Sequence, residues 1–292
     1  MRRILVTGAN KGIGRAIARA ILAEHADTFV LLGSRDEGRG REAAAALTGE
    51  NASWGARLAV VPIDVADERS VASARARVQD LLGAEKLYGL VNNAGLGGES
   101  SLAEILAVNA LGVRRVTEAF LPMLERGVGR VVNVTSASGP TFVAGCSPEM
   151  QRFFLDGTMT WPRLAAFIDE CLAMGSDKAA FAARGLGDGN AYGLSKACAN
   201  AYTRIVAREH PELIVNACTP GFIETDMTRH YVAGQGKSAA ELGMKSPAEG
   251  TRSTMFLLFG APGGSGRYFG SDALRSPLDR YRAPGSPAYA GD

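Results

Sequence analysis

The residues Asn190-Ala191-Tyr192-Gly193-Leu194-Ser195-Lys196 put a tyrosine and a lysine one helical turn apart, and Thr7-Gly8-Ala9-Asn10-Lys11-Gly12-Ile13-Gly14 forms a glycine-rich run near the start of the chain. Residues four apart on a helix share a face, so the Lys196 ammonium can reach toward Tyr192 and favour its phenolate. A free tyrosine has a pKa of about 10, and a neighbouring cation lowers an acid by roughly 1–3 units. That brings the phenol into the range where side chains exchange protons with a substrate. The same spacing also occurs on ordinary helices, where a lysine stem simply packs on a ring.

Ile4 to Thr7 reads as a strand and the residues after Gly12 as a helix, the context a nucleotide-binding glycine turn requires. Gly8 permits the tight turn, while Gly12 and Gly14 clear side chains from the approach of a phosphate and from the helix–sheet contact. The helix N-terminus then offers unpaired N–H groups to a pyrophosphate, with Asn10 and Ile13 alongside. The spacing is TGxxxGxG, not GxGxxG, and a tight connection without a ligand is the alternative. At the end of the second strand Gly33-Ser34-Arg35 has no acid before the arginine, and Lys11 sits in the glycine loop. NAD sites place a carboxylate at this corner and NADP sites place cations. Arg35 and Lys11 therefore predict NADP(H), against the alternative of two solvated surface charges. Asp64 of Pro62-Ile63-Asp64-Val65 is placed to accept a hydrogen bond from an adenine amino group, or to cap its own loop.

Short apolar runs at residues 4–7, 29–32, 58–63, 87–92, 130–135 and 213–218 alternate with helical patterns. That alternation predicts an α/β fold, a Rossmann-type doubly wound parallel sheet of about seven strands, the last at 267–270. Ile13, Ala16, Ile17, Ala20 and Ile21, then Val71, Ala74, Val78 and Leu81, have the spacing of helices that cover a sheet. Ser246-Pro247-Ala248-Glu249 carries an N-cap, a first-turn proline and a capping-box glutamate. About fifty residues, 140–189, separate the fifth strand from the helix of Tyr192, too long for a plain connection. Ser147-Pro148-Glu149 reads as a helix start, and Leu164, Phe167, Ile168, Cys171 and Leu172 have amphipathic spacing, so this stretch is a helical insertion in a single domain spanning 1–270. The tail, 271–292, holds three prolines and is expected on the surface or frayed.

With 292 residues, 46% hydrophobic, 21% charged and a net charge of +2, the chain has the balance of a globular protein and no basic stripe for nucleic acid. Four cysteines without a CxxC argue against disulfides and zinc and for a reducing, cytoplasmic setting. His25, His210 and His230 lie far apart, so no metal site is expected. No apolar run approaches the ~18 residues that would cross a membrane.

Taken in order, TGxxxGxG, Asn92-Asn93-Ala94-Gly95, Asn109, Asn133-Val134-Thr135-Ser136, Tyr192-xxx-Lys196 and Pro220-Gly221 followed by Thr225 resemble the short-chain dehydrogenase/reductase family over roughly residues 3–270. The long segment before Tyr192, with Cys146-Ser147-Pro148-Glu149 and then Asn216-Ala217-Cys218-Thr219-Pro220-Gly221, is similar to the NADPH-dependent, often monomeric carbonyl reductase subgroup.

The resemblance implies that Tyr192 donates a proton to a carbonyl oxygen and that Lys196 holds the nicotinamide ribose and lowers the tyrosine pKa. Ser136 hydrogen-bonds the same oxygen, and Asn109 anchors a water leading to Lys196. Ser138 is a rival for Ser136, which is preferred because it lies three past Asn133. Asn93, Ala94 and Gly95 line the adenosine side with Asp64 and Val65. The Ile223 backbone and the Thr225 hydroxyl hold the carboxamide, with Pro220 and Gly221 also in the cofactor site, and the stretch from Phe222 to Lys245 is a candidate lid over a small carbonyl substrate or a plain surface loop. Phe153, Phe154, Trp161 and Phe167 are read as packing before substrate contacts. Within enzymes the alternative is an NADP-dependent secondary-alcohol dehydrogenase; outside them it is an NADPH-binding regulator without turnover.

Overall fold

The computed structural model describes residues 1–98, 100–232 and 236–291, so part of the Phe222–Lys245 stretch and the side chain of His230 lie outside what is described. Six strands, β1 (Arg2–Val6), β2 (Thr28–Ser34), β3 (Leu58–Pro62), β4 (Leu87–Asn92), β5 (Arg130–Val134) and β6 (Ile214–Cys218), run parallel. With β7 (Tyr268–Phe269) and β8 (Arg275–Ser276) they form one sheet in the order β3-β2-β1-β4-β5-β6-β7-β8. The order reverses between β1 and β4, and that reversal opens the crevice in which ligands of such sheets bind.

The strands are near-continuous apolar runs because both faces of the sheet are covered. On one face Leu5, Leu31, Leu90, Val131 and Val215 pack with residues of α3 (Glu68–Leu82), α5 (Val113–Phe120) and α10 (Ala191–Glu209). On the other, Ile4, Val30, Leu32 and Val132 meet α1 (Gly12–Glu24), α2 (Glu37–Glu50) and α12 (Arg252–Phe259). Caps set the helix starts. Asp67 accepts from Arg69 N and Ser70 N to begin α3. Ser246 and Glu249 exchange hydrogen bonds as a capping box, opening a 3-10 turn, Glu249–Thr251, that runs into α12. Helix α4 (Leu102–Leu106) continues through a π turn, Ala107–Gly112, into α5.

The insertion comprises α6 (Ser138–Ala144), α7 (Pro148–Leu155), α8 (Trp161–Met174) and α9 (Lys178–Ala183). Ser147 caps α7 by accepting from Met150 N at 3.3 Å. Its aromatic residues pack on one another: Phe153 and Phe167 stand 4.7 Å apart, Phe154 and Phe167 5.5 Å, and Trp161 meets Tyr202 of α10 edge-on at 5.7 Å.

The sheet has one strand more than the sequence predicts, and it is antiparallel. β8 returns on β7 through a turn in which Ala273 takes φ +63° and Gly270 N donates to Leu274 O at 2.8 Å. That φ is the left-handed region, where alanine is rare; Gly270, Ser271 and Asp272 before it are the turn residues of the reversal. The chain past β8 is tied back to the β7–β8 turn. The Arg282 guanidinium, 7% exposed, pairs with Asp272 and donates to Ser276 Oγ and Ser286 O. A short helix, α11 (Arg229–Val232), lies in the candidate lid, whose neck is closed by a bridge between Ile223 and Lys245. Among the described residues no helix is long and apolar enough to cross a membrane.

Candidate active site

The glycine turn joins β1 to α1 under tight constraint. Gly8 takes φ +63°, and a methyl group there would lie 2.9 Å from Ala94 Cα. On Gly14 it would run into the Gly8 carbonyl and the Asn93 amide. That amide is structural: Asn93 Nδ2 donates to Thr7 O at 2.9 Å, while Thr7 Oγ1 accepts from the backbone N–H groups of Asn93 and Ala94, each at 3.0 Å. The loop after β4 is thereby tied to the end of β1. No side chain caps α1 at Lys11, so its first-turn N–H groups are left for an anion.

A cleft of about 980 Å³ opens along this turn. It is lined by the predicted cofactor residues Gly8, Asn10, Lys11, Gly12, Ile13, Gly14, Arg35, Asp64, Val65, Asn93, Ala94 and Gly95, and by Thr225, whereas Tyr192, Lys196, Pro220, Gly221 and Ile223 are not on its wall. Arg15 and Arg39 also line it, and sequence reasoning missed both; the signal for Arg39 was its position four after Arg35 at the start of α2. Arg35 and Arg39 are exposed. Asp36, beside Arg35, accepts from Arg39 N at 2.8 Å and so caps α2. Asp64 accepts from Ala66 N at 3.0 Å, its loop-capping role. Lys11 is not a free cation: it pairs at 2.9 Å with Asp226 of the candidate lid, which also holds Arg229 at 2.7 Å. The Lys11 ammonium holds the Asp226 carboxyl below its usual range.

Tyr192 and Lys196 stand in the first turns of α10, which begins where Asn190 Oδ1 accepts from Gly193 N at 2.7 Å. The Lys196 Nζ lies 5.5 Å from the Tyr192 ring centroid and donates to Val134 O at 3.2 Å. Lys196 is 4% exposed, and burial lowers its pKa to about 8, since a buried site disfavours the ammonium. Ser136 lies two residues past the end of β5; its Oγ donates to Ser138 Oγ and accepts from Ser138 N, both at 3.2 Å, so the two rival serines form one hydrogen-bonded unit. This unit abuts the first turns of α10. A methyl on Gly193 would lie 3.0 Å from Ser138 O, and one on Gly139 3.1 Å from the Lys196 carbonyl carbon.

Asn109, in the π turn, is fully buried. Its Nδ2 donates to Leu96 O at 2.8 Å and to Ser195 Oγ at 3.0 Å, and its Oδ1 accepts from Leu96 N at 2.8 Å. Both amide hydrogens are therefore spent, leaving a single lone pair of Oδ1 for any water. The side chain acts as a brace between the loop after β4 and α10. Ser195 extends that brace by donating to Tyr192 O at 2.8 Å, a role its identity alone did not announce. Gly95 lies over the pair, because a methyl there would sit 3.3 Å from Asn109 Oδ1 and 3.5 Å from Lys196 Nζ.

The glycine turn after β1, the loop after β4 and Ser136 after β5 thus gather at the carboxyl ends of the parallel strands, with Lys196 and Tyr192 of α10 beside them. Residues 2–148 match the family model for short chain dehydrogenase. The chain belongs to that family. It is 35% identical to (+)-neomenthol dehydrogenase of Arabidopsis thaliana over 77% of its length and 84% of that protein's. It is 32% identical to carbonyl reductase (NADPH) 1 of Rattus norvegicus over 90% of its length and 92% of that protein's. Its fold superposes on salutaridine reductase of Papaver somniferum with a TM-score of 0.76 and 28% identity, covering 92% of this chain and 99% of the other. The short-chain dehydrogenase is an oxidoreductase, carbonyl-reductase-like in kind.

Proposed function

We propose that the protein reduces an aldehyde or ketone to the alcohol with NADPH, as a monomer in the cytoplasm. The observation that carries this reading is the buried Lys196 beside Tyr192, next to the Ser136–Ser138 unit. A regulator that only binds dinucleotide needs no proton donor paired with an oxyanion partner. NADP(H) fits the cleft because the glycines leave it a cradle that side chains would fill, and because Arg35 and Arg39 present cations where a 2′-phosphate would lie. Bound there, the reduced nicotinamide supplies the hydride. The rest is done by the chain: the Ser136 hydroxyl hydrogen-bonds the carbonyl oxygen, whose charge grows in the transition state. The Tyr192 hydroxyl gives that oxygen its proton. Charged, Lys196 favours the phenolate left behind. The likeness to carbonyl reductase (NADPH) 1 and to (+)-neomenthol dehydrogenase supports a carbonyl/alcohol couple.

The test follows reduced-nicotinamide absorbance with a panel of carbonyl compounds. NADPH is expected to support faster turnover than NADH, and Tyr192→Phe to abolish reduction while NADPH still binds. Unchanged turnover in Tyr192→Phe would remove the proton-donor role. Tight NADPH binding without turnover on any compound would favour the regulator.

A further inference from the structure

Lys11 and Asp226 lie 215 residues apart in the chain, yet the Lys11 ammonium donates to Asp226 Oδ2 at 2.9 Å in the cleft that both line. Backbone packing brings them together. A methyl on Gly12 would lie 3.5 Å from Thr225 Cγ2, so the segment carrying Asp226 rests on the glycine turn itself. That segment is held in shape, because Thr225 N donates to Thr228 Oγ1 at 2.9 Å and Thr228 Oγ1 donates to Ile223 O at 2.7 Å. At its neck Glu224 N donates to Lys245 O and Lys245 N to Phe222 O. Among the other carboxylates of the wall, Asp36 accepts from Arg39 N and Asp64 from Ala66 N, whereas Asp226 is ion-paired to two cations of that wall, Lys11 and Arg229. The Lys11 and Asp226 side chains are 60% and 50% exposed. Water therefore screens the pair, and a dianionic phosphate can displace the carboxylate.

We infer that Asp226 is a specificity-determining residue for the cofactor: its carboxylate holds Lys11 in the free protein, so that Lys11 must leave Asp226 to meet the 2′-phosphate of NADPH, a cost that NADH does not meet. This rests on the NADPH reading above. Asp226 thus moderates the preference that Arg35, Arg39 and Lys11 create. It also couples the two walls of the cleft, since capture of a phosphate by Lys11 gives up one tie between the glycine turn and the candidate lid.

The dissociation constants of NADPH and NADH are to be measured by reduced-nicotinamide fluorescence at low ionic strength, for the wild type, Asp226→Asn, Lys11→Met and the double variant. Asp226→Asn should tighten NADPH binding by roughly two- to fivefold, the size of one exposed ion pair, and leave NADH binding unchanged. The gain should disappear in the Lys11→Met background, a coupling that a general change in the charge of the cleft would not give. NADPH binding unchanged or weakened in Asp226→Asn overturns the inference while leaving the cofactor reading intact. So does an equal gain for NADH, which would put Lys11 on the pyrophosphate, and so does a full gain in the Lys11→Met background, which would make Arg229 the cation released. Wild type and Asp226→Asn that both bind NADPH no tighter than NADH overturn the cofactor reading and the inference together.

Discussion

Lys196 concentrates the electrostatics of the site in one group. Its pKa near 8 lies below the ordinary 10.5 because burial penalises the charged form. Between those two values the folded chain binds fewer protons than the unfolded one. Rising pH across that window therefore favours folding, and below about 8 the cost of the buried charge is present in full. Function runs the other way, since the charged ammonium is the form that favours the Tyr192 phenolate. The kcat/KM for carbonyl reduction, which reports the free enzyme, is accordingly expected to fall above a pH of about 8. Lys196→Arg keeps a charge at all these pH values, so the inflection should vanish from whatever rate remains. An inflection that persists unmoved in that variant would assign the titration to another group. At this scale the sequence was most legible where spacing encodes chemistry, as in Tyr192 and Lys196. It was least legible where a residue acts through a three-dimensional bond, as Ser195 does with Asn109.

Element by element, legibility followed the presence of local signals. Ser147-Pro148 and Ser246-Pro247 announced helix starts, and both serines cap as expected. The stripe from Leu164 to Leu172 announced α8. The π turn at Ala107–Gly112 carried no such mark: it is composed of ordinary helical residues, and its extra width appears only in the backbone. Asp177 caps α9, a signal the sequence reading did not use. β8 follows a turn of Gly270, Ser271 and Asp272 that closes on a left-handed Ala273. Within the insertion the aromatic cluster is the main support, with Phe154 and Phe167 each 3% exposed and edge-on to one another. Phe167→Ala should therefore destabilise the protein by about 3–5 kcal/mol, the cost of emptying a buried aromatic site. Urea unfolding reads this directly, and a loss under ~1 kcal/mol, as at a site free of packing constraints, would show that the cluster does not hold the insertion.

For the whole molecule, the insertion matters because of what it covers. Every residue of α10 from Gly193 to Thr203 is buried, a condition met only when a helix is packed on all sides. The sheet covers one side and α6 another. The insertion supplies more of the cover: Arg204 of α10 donates to Leu155 O at 2.8 Å and Arg208 to Gly157 O at 2.7 Å, while Trp161 takes the Arg114 guanidinium of α5 over its ring at 4.3 Å. A two-fold dimer formed through α5 and α10 would need the same patch on both copies to be free. Here that patch is spent within one chain on backbone hydrogen bonds and aromatic contacts. Light scattering coupled to size exclusion should therefore return a mass near 30.6 kDa at micromolar concentration, with and without NADPH. A stable tetramer would mean that another face mediates assembly and that the insertion shapes only the fold around Tyr192. A dimer broken by Arg114→Glu would place the contact on α5, leaving the insertion's cover of that helix incomplete.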